Sequence, residues 1–554
     1  MFCNRLKTTI NLALAASVSV MAFGARATVI TNGYVFPNVA ITPTGTSQIN
    51  VGYGGASGEV EVNGGATGNS FTAIGGSGLL VGASAGSTGE VRIIGNGISG
   101  SATAAINNGI GARIGFGGSG ALEVRQGGVL ESNADIHLGE SFSGSAGTSN
   151  VTIDGAESVL RSQTASGSFA GGGRILVPFG SASSTLTVSN GGLVDAVGSQ
   201  LSEFEQGAVF IGDYSEATAT NVNVTVTGEG STIQAQHGIF VENQFGQAVV
   251  NITDGGAVKQ LEPGFVFDGK QEPGIIIDSL DANGAQVNVS GISAGGVASS
   301  LSAVTDIDIG IEVSQGKSTG HLLVENGGEV TTLTDINISS NNTDPHVTPV
   351  SGQDSSLTVR NGGMATAQNV FVNADGRLSG DGMITGNVIV DGGTVAPGNS
   401  PGTMTIDGDF IVNDGTLELE INSLFDRDEF IVSGDVIFGA TAMIDLTLGF
   451  EPVDILNIED FFSGFALFQV DNTFNPFANI DVMFTADSGI TGGSTVNIGL
   501  GGETFALTAE GGTVFVAEPG TLGLLGFGLS GLLMARRRRK VVAWKPQGHS
   551  FEHA

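Results

Sequence analysis

"LTVSNGGL", residues 186–193, carries the reading of the whole chain. Leu186 and Val188 alternate with Thr187 and Ser189, which turns one side of an extended strand toward a core and the other toward solvent. Asn190-Gly191-Gly192 follows, and these residues reach positive φ cheaply, so they turn the chain sharply. The phrase returns as VEVNGGA at 60, LEVRQGGV at 122, VNITDGGA at 250, LLVENGGE at 322, LTVRNGGM at 357 and VIVDGGTV at 388. Its turns are led by Asn63, Asn190, Asp254, Asn326, Asn361 and Asp391, with Gln126 the exception. The first glycines of the four earliest copies fall at 64, 127, 191 and 255, a near-constant spacing. A second phrase lies between them, as VTIDGAESVL at 151, VTVTGEGSTI at 224 and VNVSGISA at 287.

One such coil cannot bury its apolar side alone, whereas stacked coils share a continuous core. The expected fold class is therefore all-β: a right-handed parallel β-helix (solenoid) over residues 28–420. If each 64-residue period holds three coils of about 21 residues, about 18 coils make a rod about 90 Å long. From about 421 to 515 phenylalanine becomes frequent, with Phe425, Phe430, Phe438, Phe450, Phe461, Phe462, Phe465 and Phe468. DEFIVSGDVIFGATAMIDLTLGF reads there as hairpins of a β-rich C-terminal cap, which would cover an otherwise unpaired ladder end.

Charge narrows the partners. Lys and Arg number 20 against 54 Asp and Glu, and nine of the basic residues lie in the first 27 positions or in 536–545. The body between is strongly acidic, which disfavours nucleic acid, since phosphate binding needs clustered cations. The one cysteine, Cys3, precedes the apolar run of the leader, so the body carries no disulfide framework.

Both ends read as addresses. Residues 1–27 combine Arg5 and Lys7, an apolar run and Ala25-Arg26-Ala27, the three parts of a signal peptide cleaved after Ala27. Near the other end, Gly520 to Ala535 is free of charge and is followed by Arg536, Arg537, Arg538, Arg539 and Lys540. The expectation is a single C-terminal transmembrane helix over 520–535 that leaves the basic cluster and a short tail, 541–554, in the cytoplasm.

Glu518-Pro519, the Gly/Leu-rich apolar run and the Arg cluster together resemble the PEP-CTERM sorting signal of Gram-negative bacteria, here over 516–540. Ala517 stands where the family usually has the first proline, and 14 residues follow the basic cluster. The resemblance implies recognition by an exosortase and the secretion machinery, anchoring in the inner membrane, and then release to the cell surface or matrix. It also implies association with exopolysaccharide and biofilm. The repeated Val-x-Asn-Gly-Gly phrases and P-G-N-S-P-G-T at 397–403 resemble autotransporter passenger domains and other secreted adhesins, without the outer-membrane barrel.

G-N-S-P-G at 398–402 and G-A-S-A-G at 82–86 fit the nucleophile elbow, but Pro401 has no N–H for an oxyanion hole. Ser400 therefore reads as a turn residue. G-F-G-G-S-G at 115–120 leads into a strand and lacks the nucleotide-binding context. Asp306 and Asp308 would project from one strand face about 7 Å apart, the geometry of an inverting glycosidase. His237 and Arg174 share no motif with them. Asp154, Asp254 and Asp391 offer oxygen ligands suited to weak Ca2+ binding, and no cofactor is required. A flat Thr array for ice is not repeated at the period. The expected role is structural or adhesive, without enzymatic activity; the alternative is a polysaccharide lyase or glycoside hydrolase on the same scaffold.

Overall fold

The computed structural model describes residues 28–36, most of 44–448 apart from stretches such as 164–172, 199–206, 213–219 and 341–353, and strands between 468 and 516. Among these residues there is no helix, and none long and apolar enough to cross a membrane. Ala25, Ala27, Glu518, Pro519 and Arg536 to Arg539, with the expected helix at 520–535, lie outside the described residues.

The chain is wound into stacked coils, each contributing a strand to three parallel faces. On the first face one core column runs Val60, Val91, Leu122, Val151, Leu186, Val224, Val250, Val287, Leu322 and Leu357. It continues through Leu378, Val395, Leu417 and Ile444. Leu130, Leu160, Val194 and Ile233 fill the second face, and Ile136, Ile175, Val209 and Ile239 the third. All of these side chains are buried in one continuous core. The alternation seen in LTVSNGG is realised literally, since strand Ser183–Ser189 alternates buried and less buried positions along its length.

The coil is longer than the sequence spacing suggested. Val60, Val91 and Leu122 are in register 31 residues apart, so the 64-residue period holds two coils, not three. At about 4.8 Å per rung the first-face column from Val60 to Ile444 spans about 60 Å. The two sequence phrases are alternate coils of one face, differing in the turn that follows. Asn-Gly-Gly coils put Asn190 at φ 52° and Gly191 at φ 88°, closed by the bond from Gly192 N–H to Ser189 C=O at 3.0 Å. Gly192 itself is required by space, because a Cβ there would lie 2.4 Å from the carbonyl oxygen of Ile153 in the preceding coil. Three of the coils between, those of Val151, Val224 and Val287, end in Gly-x-x-Ser, and the serine joins neighbouring coils. Ser231 Oγ accepts from Gly191 N–H at 3.0 Å and donates to Thr227 C=O at 2.7 Å. Ser158 and Ser299 do the same for Gly127 and Gly255.

Gln126, Asp254, Asn326 and Asn361 share the positive φ of Asn190. Asn63 and Asp391 do not. Asn63 ends strand Ser57–Asn63, and Asp391 lies within strand Met383–Pro397, where VIVDGGTV pairs with the third face through Val370 and Val388. That copy of the phrase is therefore on a different side of the coil from the others.

Beyond residue 360 the coils shorten. Strands Phe410–Ser423 and Val436–Leu448 run from the third face into the first without a break, and Met383–Pro397 runs from the second through the third to the first, with register shifts beside Asp391 and Asp414. DEFIVSGDVIF forms no hairpin: Glu429–Val432 and Val436–Leu448 continue the parallel ladder. Phe410, Phe430 and Phe468 stack in the core, with centroids 5.0 Å apart in consecutive pairs. Antiparallel strands stand at both ends. Thr28–Gly33 pairs with Ser57–Asn63, and Thr513–Val516 pairs with Ile480–Phe484.

Candidate functional site

Because the inward halves of the strands are spent on the core, chemistry must come from the outward halves, and stacking turns each outward position into a row. At the start of the first-face strands, Ser57, Thr88, Ser119, Thr148 and Ser183 are in register. Thr88 Oγ1 donates to Ser57 Oγ at 2.7 Å, and Thr148 Oγ1 to Ser119 Oγ at 3.0 Å. Two residues on, the row reads Glu59, Glu90, Ala121, Asn150, Thr185 and Asn223. The next reads Glu61, Arg92, Glu123, Thr152, Thr187, Thr225, Asn251 and Asn288. Asn288 Nδ2 donates to Asn251 Oδ1 at 2.9 Å, and Thr185 Oγ1 to Asn150 Oδ1 at 3.0 Å.

The first two rows line two adjoining open grooves of about 630 and 540 Å3 that share Thr148 and Ser149. Gly58, Gly89 and Gly120 form the floor, where a Cβ would lie within 2.1–2.2 Å of neighbouring backbone. These glycines are in phase with the inward-facing Val60, Val91 and Leu122, so the missing side chains let the coil corners pack closely beneath the groove. The nearby cation is already neutralised: Arg92 pairs with Glu59, with Glu61 at 2.8 Å and with Glu90 at 3.1 Å.

The two acids that fit the glycosidase spacing each bond to a neighbouring coil. Asp308 is buried on the outward side of the third face and accepts from Asn337 Nδ2 at 2.7 Å. Asp306 Oδ1 accepts the backbone N–H of Asp335 at 3.2 Å, the first rung of a ladder at that corner. Asp335 Oδ1 accepts from Asn369 N–H, Asn387 Oδ1 from Asp409 N–H, and Asp409 Oδ1 from Asp435 N–H. Asp306 is thus a coil-to-coil connector. The signal was in the sequence: DIDI, DINI, NVFV, NVIV, DFIV and DVIF each start a third-face strand with Asp or Asn.

His237 and Arg174 stand two coils apart. Arg174 forms a two-point contact with Asp135 Oδ2, at 2.6 and 3.0 Å, and His237 Nδ1 faces Pro263 C=O at 3.1 Å. Asp154 Oδ1 accepts from Ser189 Oγ and Asn190 Nδ2, both at 2.7 Å, so this acidic turn residue ties two coils together. Among the described residues no group of three or more His, Cys, Asp or Glu is placed to hold a metal ion. Gly82 and Gly115 open corners between the third and first faces, which accounts for both glycine-rich motifs there. Ser400 is outside the described residues. The segment around it joins Met383–Pro397 to Thr403–Asp407, held by Asp428 Oδ1 accepting from Gly402 N–H at 2.8 Å. Burial pushes the Asp428 carboxyl up to about 6, helped by Glu420 and Asp426 and opposed by its backbone hydrogen bonds.

Sequence reasoning missed Asp278. It points outward from third-face strand Ile275–Ser279 yet is 3% exposed, beside Glu242 of the preceding coil. Burial raises its pKa to about 7, against hydrogen bonds from Ser318 and the Ser279 backbone. Only the strand period could have pointed to it, because Asp278 follows Ile276 on the outward side. No family model matches the chain, and no curated protein matches it either.

Proposed function

We propose that this chain is an exported structural or adhesive protein of a bacterial surface or exopolysaccharide matrix. In this reading it is a right-handed parallel β-solenoid closed by a β-rich cap, carried by a signal peptide ending at Ala27 and a PEP-CTERM-type tail. The observation that carries the reading is the first face, where rows of hydroxyl, amide and carboxylate side chains run across consecutive coils. Such a surface holds a partner by many weak contacts, so no single residue is indispensable. Its partners would be an exosortase and the secretion machinery on the way out, and matrix polysaccharide afterwards.

Intact mass and fractionation of the protein from a host that carries an exosortase test this. The expected product begins after Ala27, ends near Glu518-Pro519 and is recovered from the envelope or matrix. A chain retaining Arg536 to Ala554 in the inner membrane would sink the processing claim.

A further inference from the structure

We infer that the first-face groove at the N-terminal end of the solenoid is a lengthwise binding site for a neutral, pyranose-based polysaccharide. The inference deepens the surface reading and rests on it for the presence of such a polymer. Three observations converge. The first is shape: the groove crosses successive coils from Asn32 and Gly33, over Ser57, Thr88 and Ser119, to Thr148 and Asn150, and continues to Asn223 and Gln247. A ligand that fits it is long and narrow and lies along the stacking axis.

The second is chemistry. The rim is hydroxyl and amide, groups that both donate and accept, and therefore match the hydroxyls of a sugar without a fixed charge. Glu59 and Glu90 add two acceptors, and among the described residues no basic side chain lines the groove. Arg92, the cation nearest by register, is held by three glutamates. Three glutamates against one arginine leave this end of the groove net negative, which repels an acidic polymer and selects a neutral chain.

The third is a pair of half-exposed aromatic rings at the head of the groove. Tyr34 and Tyr53 are 38% and 50% exposed, with ring centroids 6.0 Å apart. Tyr34 follows the lining residues Asn32 and Gly33, its N–H donates to Ser57 C=O at 2.8 Å, and Gly52 N–H donates to its C=O at 2.9 Å. The platform is thus fastened to the first rung of the groove. Exposed tyrosines combine an apolar ring with a polar hydroxyl, the surface on which the C–H face of a pyranose packs.

Affinity electrophoresis of the purified chain in gels containing laminarin, hydroxyethyl cellulose or galactomannan, with alginate as the acidic probe, tests the inference. Retardation by at least one neutral gel and none by alginate is expected. Tyr34→Ala with Tyr53→Ala should weaken it tenfold or more. Ala121→Arg, an outward side chain placed midway along the groove, should do the same without touching the core. Thr358→Arg, on the same face outside the groove, should leave retention unchanged and shows that charge alone is not responsible. Migration unchanged in all three neutral gels, retention by alginate alone, or equal retention of the Tyr34/Tyr53 and Ala121 variants would overturn the assignment. The export reading fails separately: a chain retained by the gels but found with an intact tail in the inner membrane breaks that reading alone.

Discussion

The first and third faces of the solenoid have the same inward alternation and opposite outward sides. On the first, outward positions are mostly Ser, Thr, Asn and Glu and are half-buried or exposed. On the third, Leu80, Leu176, Ile276, His137, Asp278 and Asp308 point away from the core and are nonetheless buried. Phe210 and Phe240 stack there in consecutive coils, centroids 4.8 Å apart. Since both faces meet the same core, their inward halves cannot distinguish them. The difference lies in what each outward half meets, and it leaves the first face available to a partner while the third serves packing. It also means that ionisable groups carry different costs on the two faces.

Asp278 sharpens this contrast most. Its folded-state pKa, near 7, lies above the ordinary value of 3.8. Between these values the native chain keeps a proton that the unfolded chain has lost, so stability falls as pH rises from about 4 to about 7. Above about 7 the full cost is present, up to about 4 kcal/mol at about 1.4 kcal/mol per pH unit. Asp278→Asn keeps the shape and cannot ionise. Thermal melts should show it more stable than the parent at pH 8 and nearly equal at pH 4.5. Local hydrogen exchange at Ile275–Ser279 should slow in parallel, because solenoid stability is distributed over neighbouring coils. Equal stability of variant and parent at pH 8 would refute the buried acid's cost.

A smaller effect is expected where the first face turns into the second. Ser231 is fully buried and satisfies both Gly191 N–H and Thr227 C=O. Ser231→Ala removes both partners at once, at a cost of about 1–3 kcal/mol. Chemical denaturation should register that loss, while retention by polysaccharide should persist because Ser231 is not among the groove's lining residues. A loss below about 0.5 kcal/mol would mean that water replaces the hydroxyl and that the serine does not secure the coils.

These serines also explain how far the sequence could be read. Leu186, Val188, Asn190 and Gly191 announce strand and turn by residue type, because burial and positive φ select residues locally. Coil length is not announced in that way. From Val60 to Leu322 only alternate coils carry the Asx-Gly-Gly or Gln-Gly-Gly turn, so counting the conspicuous phrase there skips every second turn of the chain. Thr28–Gly33 was beyond reach for another reason: its residue types do not say whether it will lie antiparallel across the first coil. The groove was equally hidden, since Ser57, Thr88, Ser119 and Thr148 are separated by about 30 residues each and meet only through register. Asp306 shows the converse. Its spacing from Asp308 fits a pair of catalytic acids, while the bond its carboxylate accepts comes from a backbone N–H one coil away, which spacing along the chain does not show.

The smallest effect belongs to the middle of the first face. Thr187 stands between Thr152 and Thr225 in its row and lines neither groove. Thr187→Val preserves branching at Cβ and exchanges an outward hydroxyl for a methyl group, so its strand preference is kept. Stability should move by less than about 0.5 kcal/mol in either direction. Retention in the neutral gels should be unchanged, because Thr187 is one row away from the hydroxyls that rim the groove. A variant that lost retention while keeping its melting temperature would shift the binding surface from the strand starts to the centre of the face. That outcome would make the Thr152, Thr187 and Thr225 row the contact, and would remove the reason for placing the tyrosine platform at its head.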